Sequence, residues 1–171
     1  MNHAETINFE IPAGANGVLP LPIWLNHHYL VTGGPYRNIP KGYTGVKMAR
    51  EIKAPCAIDI PTKDFNVPPQ DALDEGLYQA ARALVAGKPL YVGCMGGMGR
   101  TGLFLAVLAK ALGIQQPVEY VREHYYEHAV ETPEQYAFVA EYNVPWRVRM
   151  ILSIGRGWAF FAQRNCLTNL P

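Results

Sequence analysis

Apolar spacing sets the elements of this chain. From Pro69 to Ala86, residues Ala72, Leu73, Leu77, Ala80, Ala81, Leu84 and Val85 recur every three or four positions, and Gly87 follows where a C-cap glycine belongs. This pattern predicts an amphipathic helix over 69–86. Leu90-Tyr91-Val92 is a short aromatic and β-branched run that predicts a buried strand, and the nearly uninterrupted apolar stretch from Thr101 to Lys110 predicts a helix with little exposed face. Further strands are expected at 7–11, 19–25, 29–32 and 57–60, with a turn at Gly33-Gly34-Pro35. A short helix is expected over 45–53, and two more over 117–127 and 133–142. The sum is an α/β fold: one domain, 1–142, with a central, mostly parallel sheet flanked by helices. The remaining 143–171 form an aromatic and basic extension, expected to pack on that domain. Gly155 and Gly157 argue there against one long helix.

Between the buried strand and the apolar helix lies the loop Cys94-Met95-Gly96-Gly97-Met98-Gly99-Arg100, in which five residues separate a cysteine from an arginine. A glycine-rich turn feeding a helix N-terminus directs backbone N–H groups at an anion, and an arginine supplies two parallel donors for phosphate oxygens. A thiol in such surroundings is favoured as the nucleophilic thiolate. Thr101 can donate its hydroxyl to that sulfur.

These residues resemble the signature of the cysteine-dependent protein tyrosine phosphatase superfamily, and the Gly-Arg-Thr-Gly ending is similar to its dual-specificity branch. The resemblance covers residues 29–142. It implies a tyrosine phosphatase-like fold, with Cys94 as nucleophile and Met95, Gly96, Gly97, Met98, Gly99 and Arg100 binding phosphate. The residue before the cysteine, usually histidine in that family, is Gly93. The family takes its general acid from an aspartate about thirty residues upstream. Asp64, in Asp64-Phe65-Asn66-Val67-Pro68-Pro69 and 30 positions before Cys94, resembles it, with Asp59 as the competitor. Glu131-Thr132-Pro133-Glu134-Gln135-Tyr136-Ala137-Phe138 resembles the segment that positions the hydrolytic water. Gln135 matches the second of its two glutamines, and Glu131 stands in place of the first. Read from the residues alone, Thr132, Pro133 and Gln135 form a capping box at a helix start, and both roles are compatible.

Composition excludes more than it selects. A formal charge of +1 over 171 residues, with 49% hydrophobic residues, gives a full core and no global pull toward nucleic acid or anionic membrane. No stretch approaches a membrane span, and three cysteines (Cys56, Cys94, Cys166) suit a reducing compartment, so a cytoplasmic protein is expected. Cys56 is expected to be a structural thiol, with a disulfide to Cys94 as the lesser alternative. His124 and His128 have helical i, i+4 spacing suited to zinc, and His27-His28 adjoin, but no companion ligands accompany them. No metal and no cofactor are expected. Tyr36-Arg37-Asn38 is expected to be surface turn. The residues therefore lead to a metal-independent phosphatase acting on phosphotyrosine, with phosphoserine or phosphothreonine in addition, or on a small phosphoester. The alternatives are a phosphate-binding module with little turnover and a rhodanese-like sulfurtransferase.

Overall fold

The computed structural model describes residues 10–24 and 27–167, with side chains as far as Gly157 apart from that of Trp24. A five-stranded sheet runs β1 (Gly17–Trp24), β2 (His27–Pro35), β3 (Thr44–Ala49), β4 (Ile58–Thr62) and β5 (Leu90–Cys94) along the chain, and in space β1-β2-β5-β3-β4. Only β1 is antiparallel to its neighbour; β5 lies in the middle, parallel to both β2 and β3. A central parallel strand is covered on both faces, which is why every residue of β5 is buried. Its C-terminal end delivers Cys94, in register with Pro35.

Helix α1 (Gln70–Val85) packs on β4 and on α5 (Trp146–Leu167). Helix α2 (Gly99–Ala111) lies on β5 beneath α3 (Pro117–His124) and α4 (Pro133–Glu141). The core joins Leu21, Val46, Ile60, Leu77, Val92 and Phe104, all fully buried.

Four expectations need correction. The segment 45–53 is not a helix, because its first five residues form β3, wedged between β5 and β4 and buried from Gly45 to Ala49. A strand buried on both faces loses the polar alternation by which strands are recognised. The turn at 33–35 does not occur there; the ladder with β5 carries β2 through Pro35, whose missing N–H falls at the strand end. Helix α3 stops at His124, so His128 is off the helix and the two imidazoles do not share a face. Finally, α5 runs unbroken through Gly155 and Gly157. Gly155 seats against Tyr29 and Val85, where any side chain would collide, so packing outweighs the cost of about 1 kcal/mol per helical glycine. Of the strand expected at 7–11, residues 7–9 lie outside the described residues, and Glu10 and Ile11 are not in a strand.

The described part of 143–171 docks on the domain. Val148 and Leu152 are buried, Arg147 pairs with Glu75 at 3.1 Å and lies over the Tyr78 ring, and Arg156 donates to Leu112 O at 2.6 Å.

Candidate active site

The loop leaving β5 is held by groups from distant parts of the chain. Cys94 is 3% exposed, and its Sγ accepts the Gly97 N–H at 3.2 Å. Gly97 has φ +77°, and a side chain there would strike the backbone of Gly34, so glycine is required on both counts. Asn16 Nδ2 donates to Gly96 O at 2.9 Å, and the Tyr125 hydroxyl donates to Gly97 O at 2.6 Å. In a planar trans peptide the carbonyl and the next N–H point in opposite directions. Tying these two carbonyls to Asn16 and Tyr125 therefore turns the amides of Gly97 and Met98 the other way, toward the sulfur in the case of Gly97. Burial, followed by the neighbouring Cys94, pushes the Tyr125 phenol far above its ordinary range and the Tyr91 phenol up to about 12, so both remain donors. Tyr91 donates to Pro35 O at 2.9 Å.

Arg100 is buried at 2% exposure and its guanidinium is fully oriented. Nη1 donates to Glu51 Oε2 at 3.0 Å and to Thr62 O at 3.1 Å; Nη2 pairs with Glu51 Oε1 at 2.8 Å and with Asp64 Oδ1 at 3.0 Å. The fork-to-fork contact with Glu51 fixes the plane of the guanidinium. The hydrogen bond from Arg100 holds the Glu51 carboxyl below the usual carboxylate range. Asp64 sits in a tight loop: Phe65 N–H donates to its Oδ1 at 3.2 Å, Asn66 Nδ2 to its carbonyl at 3.0 Å, and Phe65 itself is left-handed at φ 56°. Asp59 faces elsewhere, pairing with Lys47 at 3.4 Å. Of the two aspartates, Asp64 is the one brought to Arg100.

The capping box of α4 forms as the residues suggest. Gln135 N–H donates to Thr132 Oγ1 at 3.1 Å, and Gln135 Oε1 accepts from the backbone of Thr132 and, at 3.0 Å, of Glu131. Gln135 Nε2 also reaches Asn66 O at 3.2 Å, so this buried amide joins the start of α4 to the Asp64 loop. Thr101 departs from expectation. Its hydroxyl is buried without a partner among the described residues, and the amide of Gly97 holds the sulfur instead.

Gly93 has a steric reason. A Cβ there would lie 2.7 Å from Tyr36 Cα and 2.9 Å from both Tyr36 N and Gly34 O, all backbone atoms. Tyr36 is buried rather than a surface-turn residue, and its hydroxyl donates to Pro55 O at 3.2 Å. Cys56 and Cys94 are both free thiols, and the side chain of Cys166 lies outside the described residues. His124 stacks on Tyr120 at 4.1 Å, and among the described residues no three His, Cys, Asp or Glu side chains gather as a metal site.

Glu51, Asn16 and Tyr125 escape sequence reasoning. They stand 49, 80 and 28 positions from the residues they hold, in segments with no pattern of their own.

Residues 44–113 match the family model described as a polymorphic toxin system DSP-PTPase phosphatase. Two uncharacterized proteins of Methanocaldococcus jannaschii are 42% and 45% identical to this chain over 83 residues, 48% of its length. The chain spans about half of each, 56% and 52%. Among solved structures, Tk-PTP in its active form superposes with a TM-score of 0.56 at 20% identity, covering 75% of this chain and 95% of that one. A kinase-associated phosphatase whose catalytic-site cysteine is replaced by serine gives 0.55 at 17% identity, covering 72% and 92%. These last two are similarities of fold.

Proposed function

Because residues 44–113 belong to the dual-specificity phosphatase-like family and the fold around them is that of the tyrosine phosphatases, we propose that this chain hydrolyses phosphomonoesters through a phosphocysteine on Cys94. The observation that carries the reading is the convergence of Cys94 Sγ, the inward amide of Gly97, the oriented guanidinium of Arg100 and the Asp64 carboxylate on one loop.

In the first half-reaction Sγ attacks phosphorus and the ester P–O bond breaks. Arg100 and the loop amides hold the equatorial oxygens as charge develops on them. An entering phosphate oxygen takes the Nη2 contact that Asp64 now occupies. Asp64 is then released to give its proton to the leaving oxygen. Water then attacks the phosphocysteine and frees inorganic phosphate. No step calls on a metal.

Phosphotyrosine is the proposed substrate, with phosphoserine and phosphothreonine as further ones. The loop carries Met95 and Met98 where lysines would meet additional phosphates, and Met95 and Phe65, 49% and 59% exposed, offer apolar surface suited to an aryl group. A second reading, a phosphate-binding module without turnover, draws on Gly93 and Glu131, which stand where the family has histidine and glutamine.

Hydrolysis of para-nitrophenyl phosphate and of a phosphotyrosine peptide, in EDTA, separates the two. We expect turnover that vanadate inhibits and that Cys94→Ser abolishes. Vanadate binding without turnover in the parent would establish the binding module instead.

A further inference from the structure

Glu131 carries a carboxylate that the reaction above does not use, and it lies against the loop that performs it. A methyl group built on Gly99, the first residue of α2, would collide with Glu131 Oε2 and come within 3.2 Å of Gln135 Oε1. Only a residue without a side chain leaves the carboxylate this seat at the helix N-terminus.

The backbone around Glu131 is fixed from both sides. Arg122 Nε and Nη2 donate to Ala129 O and Val130 O, each at 2.9 Å, and Glu131 N–H is held by Gln135 Oε1. Between these ties Val130, buried and β-branched, is in the left-handed region at φ 61°. Such a conformation costs on the order of 1–3 kcal/mol and persists only where its surroundings over-determine it. The carboxylate itself takes no donor among the described residues. Through Gln135 Nε2 and Asn66 O, the same helix end also steadies the Asp64 loop. Asp64 on Arg100 and Glu131 on Gly99 are thus two carboxylates, from separate segments, brought to consecutive residues of one phosphate loop.

Resting on the phosphatase reading, we propose that the two divide the work, with Glu131 as the base that activates the hydrolytic water. The water oxygen bonds to phosphorus as its proton passes to the Glu131 carboxylate. The P–S bond breaks and its electron pair returns to the Cys94 sulfur. Glu131 then releases the proton to solvent, and Asp64, ionised since the first half-reaction, regains one from solvent. Glu131 is therefore a catalytic residue of the second half-reaction and idle in the first.

Stopped-flow turnover of para-nitrophenyl phosphate by the parent, Glu131→Gln and Glu131→Asp proteins tests this. The isosteric amide can hold water but cannot take its proton. For Glu131→Gln we expect steady-state kcat to fall by about tenfold or more, in line with the usual worth of general bases. The first burst of nitrophenolate, one per active Cys94, should keep the parental rate, and Glu131→Asp should recover part of the steady-state loss. A Glu131→Gln kcat within about twofold of the parent, or a burst that slows as much as the steady state, would overturn the proposal. The carboxylate-retaining Glu131→Asp carries the test should the amide variant fail to fold, and for it a kcat loss shared equally by the burst overturns the proposal. A parent without Cys94-dependent turnover would refute the phosphatase reading itself, an outcome distinct from either.

Discussion

A glycine at position 93 follows from how two backbone segments meet. Tyr36 and Gly34 of the β2 end occupy the volume that a side chain there would need, and neither can swing aside as a flexible side chain could. Restoring the family's residue is therefore predicted to damage the protein rather than improve it. Gly93→His should lose about 3 kcal/mol, the upper range for overpacking, and lower Tm by roughly 6–12 °C, measurable by thermal denaturation. A variant with parental Tm and higher kcat would contradict this steric account. Residue by residue, the sequence disclosed side chains whose chemistry stands in a local pattern: Cys94, Arg100, Asp64, and Gln135 in its capping box. It hid Glu51, Asn16 and Tyr125, because a carboxylate, an amide and a phenol acquire their tasks only from the partner that folding brings to them. Thr101 erred in the opposite direction. A hydroxyl near a sulfur in sequence was expected to bond it, yet the Gly97 amide has that position.

At the level of elements, the loop's shape depends on two anchors from outside it. Tyr125, just past α3, clamps Gly97 O, and Asn16, just before β1, clamps Gly96 O. Tyr125→Phe keeps the buried ring and removes a single hydrogen bond, leaving Gly97 O without that donor. We predict a stability loss of about 1 kcal/mol by urea denaturation and a clear weakening of vanadate inhibition, since the Met98 amide is no longer held inward. Unchanged stability together with unchanged inhibition would show that the clamp does not shape the loop. Helices with one apolar face, such as α1, were legible from spacing to within a residue. The strand β3 and the helix α5 were not. A strand buried on both faces reads like a helix, and a helix containing glycines reads like a break until its packing partner is known.

Across the whole molecule, the sheet order puts β5 between β2 and β3, so the catalytic loop emerges at the middle of a parallel sheet. The C-terminal ends of such strands are where open α/β folds gather their ligands. From that position the loop is reached by the β3–β4 connection with Glu51, by the Asp64 loop beyond β4, and by the start of α4 with Gln135. The α/β class was legible from alternating strands and helices, whereas the convergence of these segments depends on strand order, which no local pattern encodes. The most direct test of the account is to mix the protein with excess para-nitrophenyl phosphate, quench within the first turnover, and weigh and map the chain by mass spectrometry. The account predicts one phosphoryl group, on the peptide bearing Cys94 and absent from Cys94→Ser. Turnover with no phosphoryl group on the chain, or with one on another residue, would contradict it.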